Sequence, residues 1–288
     1  MHAALANNPA TPTSETAFEL YDSKFNVKIQ SGRTQVNVRN TYEISKKGAT
    51  YFTTSRRAAE LIKYASNSFL ATKITFINEI ANLCEKTNIN IEDISIGMGL
   101  DKRIGSRFLR AGPPYGGSCF PKDTKAIVNT AEKFKINLSV VKSVIKSNEK
   151  RSLLLLNKVN EILKGKIKNK NISFLGVTFK ANTDDMRGST SLLMIPALHK
   201  KGAKICYYDP TGPKAEFSNL KKVSYCNNIS KACENADLIV IHTEWDEFKS
   251  LNFNKLIKKK NAKIFDMRNL YSISQKKKGK FKYYSIGR

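Results

Sequence analysis

The first strong pattern along the chain lies between residues 55 and 88, where apolar positions recur at steps of three and four. This spacing is typical of one face of an amphipathic helix. It predicts a helix of about 30 residues, and Ser55 is a suitable N-cap for its start. The apolar positions are Ala59, Leu61, Ile62, Ala65, Phe69, Leu70, Ile74, Ile77, Ile80, Ala81 and Cys84.

Further helices are predicted on either side of a loop rich in glycine and proline, "GLDKRIGSRFLRAGPPYGG". A short helix is expected over 92–98 before this loop. After it, one helix is expected to begin near Lys122 and another to cover about 139–164. Residues 55–150 therefore read as a helical domain.

After residue 170 the pattern changes to short apolar runs separated by helical segments. The runs are "ISFLGVTF", "KICYYDP", "DLIVIHT" and "KIFDM", and helices are expected over 191–202 and near 229–235 and 248–259. Alternation of strand and helix favours a parallel sheet covered on both faces. The predicted fold is α/β, with a helical central domain followed by a doubly wound Rossmann-like domain that we assign to residues 151–288.

Residues 1–54 show no pattern of a complete domain. Only "FNVKIQ" and "TQVNVRN" alternate weakly, as short strands do. We therefore treat 1–54 as a segment apart from the two predicted domains.

The charge balance allows two interpretations. The 288 residues include 50 Lys and Arg against 24 Asp and Glu, a formal charge of +26. An anionic partner is one explanation, and a lysine-rich, solvated surface is the other. The lysines are scattered and no nucleic-acid recognition motif accompanies them, so we expect no nucleic-acid partner.

The cysteines and histidines show no metal-ligand spacing. The five cysteines are an odd number without a CxxC pair, and the three histidines lie far apart. This favours reduced thiols and no metal site. No apolar run reaches the roughly 18 residues of a membrane span, and the N-terminus lacks a signal-peptide core. We expect a cytoplasmic protein without a membrane partner.

Candidate chemistry is concentrated in "YGGSCFPKDT", residues 115–124. Gly116 and Gly117 permit a close backbone approach. Lys122 next to Cys119 favours the thiolate, and Asp123 can orient a water molecule. The residues alone leave two possibilities for Cys119, a reactive thiol or a half-buried inert side chain.

Lys63 and Asn67 form a second candidate pair. They lie four residues apart and share one face of the long predicted helix. They are either solvated surface residues or an amine and an amide directed into a pocket, where they would need partners.

Three long, colinear motifs resolve these alternatives through a resemblance. "AELIKYASNSFLATKITFINEIANLCE", "GLDKRIGSRFLRAGPPYGGSCFPKDT" and "LGVTFKANTDDMRGSTS" resemble the nucleotide-sugar 6-dehydrogenases of the UDP-glucose/GDP-mannose dehydrogenase family, and the terminal "IFDMRNLY" is similar to that family's ending. The resemblance covers about residues 55–288. It implies oxidation of the C6 alcohol of a UDP-sugar, UDP-glucose in the first place, to a carboxylate with two NAD⁺.

The resemblance also implies roles for individual residues. Cys119 matches the nucleophile that forms a thiohemiacetal and then a thioester, and Asp123 matches the acid that orients the hydrolytic water. Lys63 and Asn67 match the groups that stabilise the oxyanion. The matched substrate-binding residues, within and beyond the loop 108–116, are Arg103, Phe108, Leu109, Arg110, Tyr115, Gly116, Phe179, Lys180 and Arg268.

Two residues, Lys122 and Arg187, match positions on the cofactor side of the site. Arg103 matches an arginine that reaches into the neighbouring subunit's site, so the resemblance implies a homodimer, which we expect to form through the long helix near 56–85.

The chain also departs from the family's pattern. No GxGxxG follows a predicted strand, so the N-terminal NAD-binding Rossmann domain is expected to be largely absent and the chain to be an N-terminally truncated member. Pro114 stands where glycine is common, and Gly188 where glutamate is usual. The alternatives are an inactive or split fragment that dimerises and binds UDP-sugar, or a relative acting on GDP-mannose or a UDP-N-acetylhexosamine.

Overall fold

A computed structural model describes residues 54–272 and 281–288 with their side chains, and the backbone of four strand segments up to residue 54. These strands are β1 (His2–Ala4), β2 (Glu19–Asp22), β3 (Val27–Ser31) and β4 (Thr50–Thr54). They form one sheet in that order, with β3 and β4 parallel and the other pairs antiparallel. The strand expected from "FNVKIQ" coincides with β3, whereas "TQVNVRN" falls outside the described residues.

The long predicted helix is confirmed as α1 (Arg56–Thr87). The Ser55 hydroxyl accepts a hydrogen bond from the backbone N–H of Ala58, which caps the first turn. The helix ends at Asn88, whose left-handed conformation (φ 57°) is one that asparagine tolerates. Helix α2 (Ile91–Leu100) contains the short helix expected over 92–98.

Two further helices complete the helical part, α3 (Phe120–Lys133) and α4 (Ser139–Ile162). Helix α3 begins two residues before the predicted start, because Pro121 fits the first turn of a helix, where no backbone donor is needed. Helix α4 runs through positions 150 and 151, so one element joins the two domains that the sequence suggests.

The C-terminal part is the predicted doubly wound α/β fold. Its six strands are β5 (Asn171–Leu175), β6 (Lys204–Tyr208), β7 (Val223–Tyr225), β8 (Leu238–Ile241), β9 (Lys263–Asp266) and β10 (Lys282–Ser285). All pairs are parallel, in the order β10-β9-β8-β5-β6-β7. The strand order therefore reverses between β5 and β8, and open α/β sheets bind their ligands outside the carboxyl ends of the strands at such a point.

The connecting helices are α5 (Ser191–Lys200), α6 (Ile229–Cys233) and α7 (Phe253–Leu256). The helix predicted near 248–259 is wrong in extent. The chain forms a 3₁₀ turn at Asp246–Ser250 and then α7. Asn252 interrupts a continuous helix because its side chain accepts from the backbone N–H of Asn254 and starts a new element.

One hydrophobic core extends from the helical part into the sheet. Ile77 of α1 and Val159 of α4 belong to the same buried cluster as Phe174 of β5 and Met194 of α5. This shared core fixes the helices against the sheet and so positions the loops between them. No helix among the described residues is long and apolar enough to cross a membrane.

The expectation that all five cysteines are reduced thiols is wrong for two of them, since the structure joins Cys206 and Cys226 in a disulfide. Their Cα atoms lie 6.2 Å apart because β6 and β7 are neighbours in the sheet. Their separation of 20 residues along the chain gives no sign of this contact.

Candidate active site

Cys119 lies at the start of α3, directly after the glycine-rich loop. It is half-buried, whereas the two other cysteines outside the disulfide, Cys84 and Cys233, are buried. Burial raises the pKa of the Cys233 thiol to about 12. The backbone carbonyl of Cys119 accepts from the N–H of Asp123 at 2.8 Å, so the thiol and the carboxylate are one helical turn apart. Cys119 is thus the most accessible of the three thiols.

Asp123 brings the predicted catalytic residues together. Its carboxylate is fully buried and accepts a 2.6 Å hydrogen bond from the side-chain amide of Asn67, 56 residues away in sequence. Lys63 Nζ lies 3.7 Å from the same oxygen, and Lys122 Nζ lies 3.8 Å from the other. The Lys63–Asn67 pair therefore faces the interior, as the functional interpretation of this pair requires.

The cluster combines one hydrogen-bond donor, Asn67, and two cations, Lys63 and Lys122, around a carboxylate one helical turn after a thiol. Buried ionic groups need such partners, because an isolated buried carboxylate is costly. The carboxylate of Asp123 also affects Tyr64, whose phenol pKa is raised mainly by burial and further by the negative charges of Glu60 and Asp123. Donors fixed in a partly buried position can stabilise a developing oxyanion.

The loop between α2 and α3 is held by polar residues that the sequence analysis missed. Asn78 Oδ1 accepts from the backbone N–H of Gly112 at 2.8 Å, and Arg151 Nε donates to the Gly112 carbonyl at 3.1 Å. Asn148 pairs with both backbone groups of Tyr115. Burial lowers the pKa of the Arg151 guanidinium to about 10. The sequence offers one sign of these residues, which is a polar side chain among the apolar positions of a helix. Asn78, next to Ile77, is an example.

The predicted substrate-binding residues of this loop divide into two groups. Phe108 is half-buried at φ 64° and its ring packs edge-on against Phe120, 6.2 Å between centroids, while Arg110 is exposed. Tyr115 packs against the same ring, and burial raises its pKa. Leu109 by contrast is buried in the core, and its carbonyl accepts from Ser95. The structure therefore does not bring the Leu109 side chain to the site.

Close backbone contacts join this loop to the loop after β5. The N–H of Gly117 donates to the carbonyl of Arg187 at 2.7 Å. A Cβ at Gly116 would lie 2.5 Å from the carbonyl oxygen of Gly188. Gly188 has a φ of +66°, and a Cβ built on Gly188 would lie 3.1 Å from the Cα atom of Gly116. This packing gives a physical reason for a glycine at position 188.

Phe179, Lys180 and Arg268, also predicted to bind substrate, meet at the carboxyl ends of β5, β8 and β9. Arg268 donates to the carbonyls of His242 (2.8 Å) and Phe179 (2.9 Å), and its Nε lies 2.7 Å from Glu244. Burial lowers the pKa of Arg268, and the nearby Arg110 cation lowers it further. Lys180 Nζ lies 5.5 Å from the Phe179 ring centroid. These residues occupy the edge at which the strand order reverses.

Arg103 is not brought to this cluster within one chain. Its guanidinium is 89% exposed and pairs with Asp101 at 2.6 Å, which raises the pKa of Arg103. Its location on an outward-facing turn is compatible with the predicted role at a neighbouring subunit.

Among the described residues, those predicted to bind the dinucleotide are limited to the nicotinamide end of its site. Arg187 is bound to Asp185, and its pKa is raised chiefly by that carboxylate and also by the nearby Cys119. Lys122 is mostly exposed beside Asp123. Arg187 thus lies within electrostatic reach of Cys119, and Lys122 lies three residues after it on α3; their role on the cofactor side stays a prediction. The chain holds no glycine fingerprint for the pyrophosphate. No group of three metal-ligating side chains occurs in the described part.

Comparison with protein families settles the class. The central-domain model of the UDP-glucose/GDP-mannose dehydrogenase family matches residues 57–150, and the UDP-binding-domain model of the same family matches residues 173–273. The chain belongs to this family. A UDP-glucose 6-dehydrogenase of Rickettsia typhi is 43% identical over 98% of this chain and 67% of its own length. One of Rhizobium meliloti is 46% identical over 82% of this chain and 54% of its own length.

Solved structures agree with the fold. A UDP-glucose dehydrogenase of Pyrobaculum islandicum has a TM-score of 0.76 at 27% identity, covering 90% of this chain and 58% of that one. A UDP-D-ManNAc dehydrogenase of Pyrococcus horikoshii has a TM-score of 0.74 at 25% identity, covering 92% and 60%.

Two further points follow from how much of this chain and of each relative the matches cover. The chain spans two thirds or less of the length of these relatives. The Rickettsia match covers nearly the whole chain and so includes most of residues 1–54, which corrects the expectation that the resemblance begins near residue 55.

Proposed function

We propose that the chain carries the thiol and UDP-sugar parts of an NAD-dependent UDP-glucose 6-dehydrogenase, which oxidises UDP-glucose to UDP-glucuronate. The observation that supports this most directly is the buried Asp123, bound by Asn67 and approached by Lys63, one helical turn after Cys119. The Pyrobaculum and Rickettsia relatives, named for this activity, support the choice of substrate.

In this proposal Lys122 and Arg187 would lie on the nicotinamide side of the site, and two molecules of NAD⁺, bound in turn, would supply one hydride acceptor for each of the two oxidations. The Cys119 thiolate forms a C–S bond to the aldehyde carbon, and the carbonyl becomes an oxyanion. Lys63 and Asn67 donate to that oxygen and lower the barrier to its formation. After the second oxidation the carbon is a thioester, and a water oriented by Asp123 adds to it. The C–S bond then breaks, which releases the carboxylate and restores the thiolate.

The sugar nucleotide is proposed to lie across the loop 108–117 and the carboxyl edge of the sheet. Arg110 and Lys180 are exposed cations at this edge, suited to a diphosphate. Phe108 and Phe179 supply half-buried aromatic surface there. Other nucleotide sugars are alternative substrates, because the family name includes GDP-mannose and one similar structure is a UDP-D-ManNAc dehydrogenase.

A second candidate function is a binding module that holds UDP-sugar without turnover. These 288 residues contain no glycine fingerprint, and hydride transfer needs a positioned acceptor. We expect the 288-residue chain alone to form little or no NADH from UDP-glucose. Absorbance at 340 nm tests this, and rapid NADH formation would contradict it.

The proposed site is testable without turnover. UDP-glucose should protect Cys119 from iodoacetamide, read by mass spectrometry of the labelled peptide, while the binding of UDP-glucose is followed by calorimetry. Failure of UDP-glucose to bind would contradict both candidate functions. Binding without protection would contradict the placement of Cys119 next to the sugar.

A homodimer through α1 is part of the proposal. Phe69, Phe76 and Leu83 recur every seven residues along this helix and are 65%, 45% and 58% exposed. A stripe of large apolar side chains at this spacing is suited to a partner helix. Phe76→Glu should shift the molar mass in light scattering towards the monomer, whereas Phe134→Glu, at a phenylalanine outside α1 that is 73% exposed, should not. An unchanged mass for Phe76→Glu would contradict the interface.

A further inference from the structure

A cavity of about 350 Å³ lies at the opposite edge of the sheet from the proposed UDP-sugar site. It is lined by the amino-terminal residues of β5, β6 and β7 and by α6 with the turn that follows. Asn171, Lys204 and Val223 are the first residues of their strands. Because all strands are parallel, a full strand length separates this cavity from the carboxyl edge that holds Arg268.

The floor of the cavity is built from small side chains. Ser173 pairs in register with Cys206, and Cys206 with Ser224, so the three lie side by side on one face of the sheet. The short helix α6 packs over β5 and β6 and contributes Ala232 to the lining. Small residues on both walls leave the space open, where larger residues would fill it.

The Ser173 hydroxyl is the observation that points to a ligand. Ser173 is 1% exposed, and its Oγ has no hydrogen-bond partner among the described residues. Buried hydroxyls without a partner are rare, because each loses its bonds to water on burial. Its neighbour Ser224 by contrast donates to the Ile205 carbonyl. A ligand oxygen in the cavity would satisfy Ser173.

The charge around the cavity defines the ligand's chemistry. Four lysines line it and no acidic residue does; the lysines are Lys204, Lys221, Lys222 and Lys231. Asp237 and Glu234, which adjoin the lining residues Ala236 and Asn235 in sequence, are each paired with lysines outside the lining: Asp237 with Lys170 and Lys259, and Glu234 with Lys258. The four lining lysines form no ion pair within the described residues. The site is therefore suited to an anion.

We propose that this cavity is a second binding site, which takes the phosphate monoester of a small organic molecule. The lysines and Ser173 would hold the phosphate, and Ala232 and Ala236 on the same face of the sheet as Ser173 would contact the organic body. The volume is at the lower end of small-molecule pockets, which suits a nucleoside monophosphate better than inorganic phosphate alone.

The test is calorimetric titration of the 288-residue protein with AMP, with inorganic phosphate for comparison. AMP should bind saturably and more tightly than phosphate. Lys222→Glu and Lys231→Glu should each raise the Kd for AMP about tenfold, the effect of losing one charge-assisted bond and adding repulsion. Ser173→Ala should raise it about threefold, because one neutral hydrogen bond is lost. Circular dichroism checks that each variant is folded.

The matched control is Lys180→Glu, the same charge change at the proposed UDP-sugar site. It should leave the Kd for AMP unchanged while weakening UDP-glucose binding. Absence of saturable AMP binding at millimolar concentration would overturn the proposal. So would Lys222→Glu without effect, or Lys180→Glu with an equal effect. Because UDP-glucose is titrated separately, failure of the proposed enzymatic function is distinguishable from failure of this site.

Discussion

The thiol cluster and the carboxyl edge of the sheet are joined by the same loops, but they are built in different ways. In the cluster, side chains on α1 and α3 bind each other, as Asn67 and Asp123 do. At the sheet edge, Arg268 binds the main-chain carbonyls of His242 and Phe179. The first arrangement depends on the identity of a few side chains, and the second on the paths of three strands. Substitutions should therefore act differently in the two regions.

The largest expected effect is that of Cys119→Ser in the thiol cluster. Labelling by iodoacetamide under native conditions should be lost, because Cys84 and Cys233 are buried and Cys206 and Cys226 form the disulfide. In an enzyme supplied with its NAD-binding part, formation of the acid should fall by at least about 100-fold, since a serine hydroxyl at neutral pH is a much weaker nucleophile. UDP-glucose binding at the sheet edge should remain. Unchanged acid formation would refute the role of the thiol.

Asp123→Leu should cause the next largest effect, on stability. It leaves the buried Asn67 amide without its acceptor and Lys63 without its counter-charge, which costs about 3–5 kcal/mol of unfolding free energy. The measurement is urea unfolding followed by circular dichroism. The matched control is Asp246→Leu, which breaks the exposed pair with Lys249 and should cost less than about 1 kcal/mol. Equal losses would show that the cluster is not buried as described.

The sheet edge should show its own pH dependence through His242. Burial, and then the charge of Arg268, lowers the pKa of this imidazole to about 3. As the pH falls below about 6.5, the unfolded chain binds a proton that the folded chain does not, so stability is lost at up to about 1.4 kcal/mol per pH unit. In the His242→Asn variant, the free energy of unfolding should therefore fall less steeply between pH 6.5 and 5, by the contribution of one bound proton. Parallel stability profiles for the two proteins would contradict a neutral buried His242.

The smallest expected effect concerns the junction between the two regions. Gly117 has φ +80°, and a Cβ there would lie 2.7 Å from the Phe179 ring. Gly105 has a similar φ of +69° with nothing within 4 Å. Gly105→Ala should cost about 1 kcal/mol for its backbone conformation, and Gly117→Ala about 1–2 kcal/mol more for the contact. Thermal unfolding compares the two variants. Equal decreases in Tm would mean that the Phe179 ring moves aside without loss of stability.

The amino-acid sequence by itself determined most of the helices and strands and marked the candidate residues for chemistry. The apolar period and Ser55 gave α1 within one or two residues, and short apolar runs located β5, β6, β8 and β9. Periodicity succeeds there because each residue's face is set by its near neighbours in the chain. The motif around Cys119 and the spacing of Lys63 and Asn67 also lie within single elements, so they were readable.

Only the tertiary structure decided which distant groups meet. It placed Asn67 against Asp123, Arg151 under Gly112, and Cys206 beside Cys226. It also turned the Leu109 side chain into the core and set the strand order that brings Arg268 to the Phe179 carbonyl. These contacts join segments far apart in sequence, and they follow from how helices and strands pack around a common core. No local period in the sequence encodes that packing.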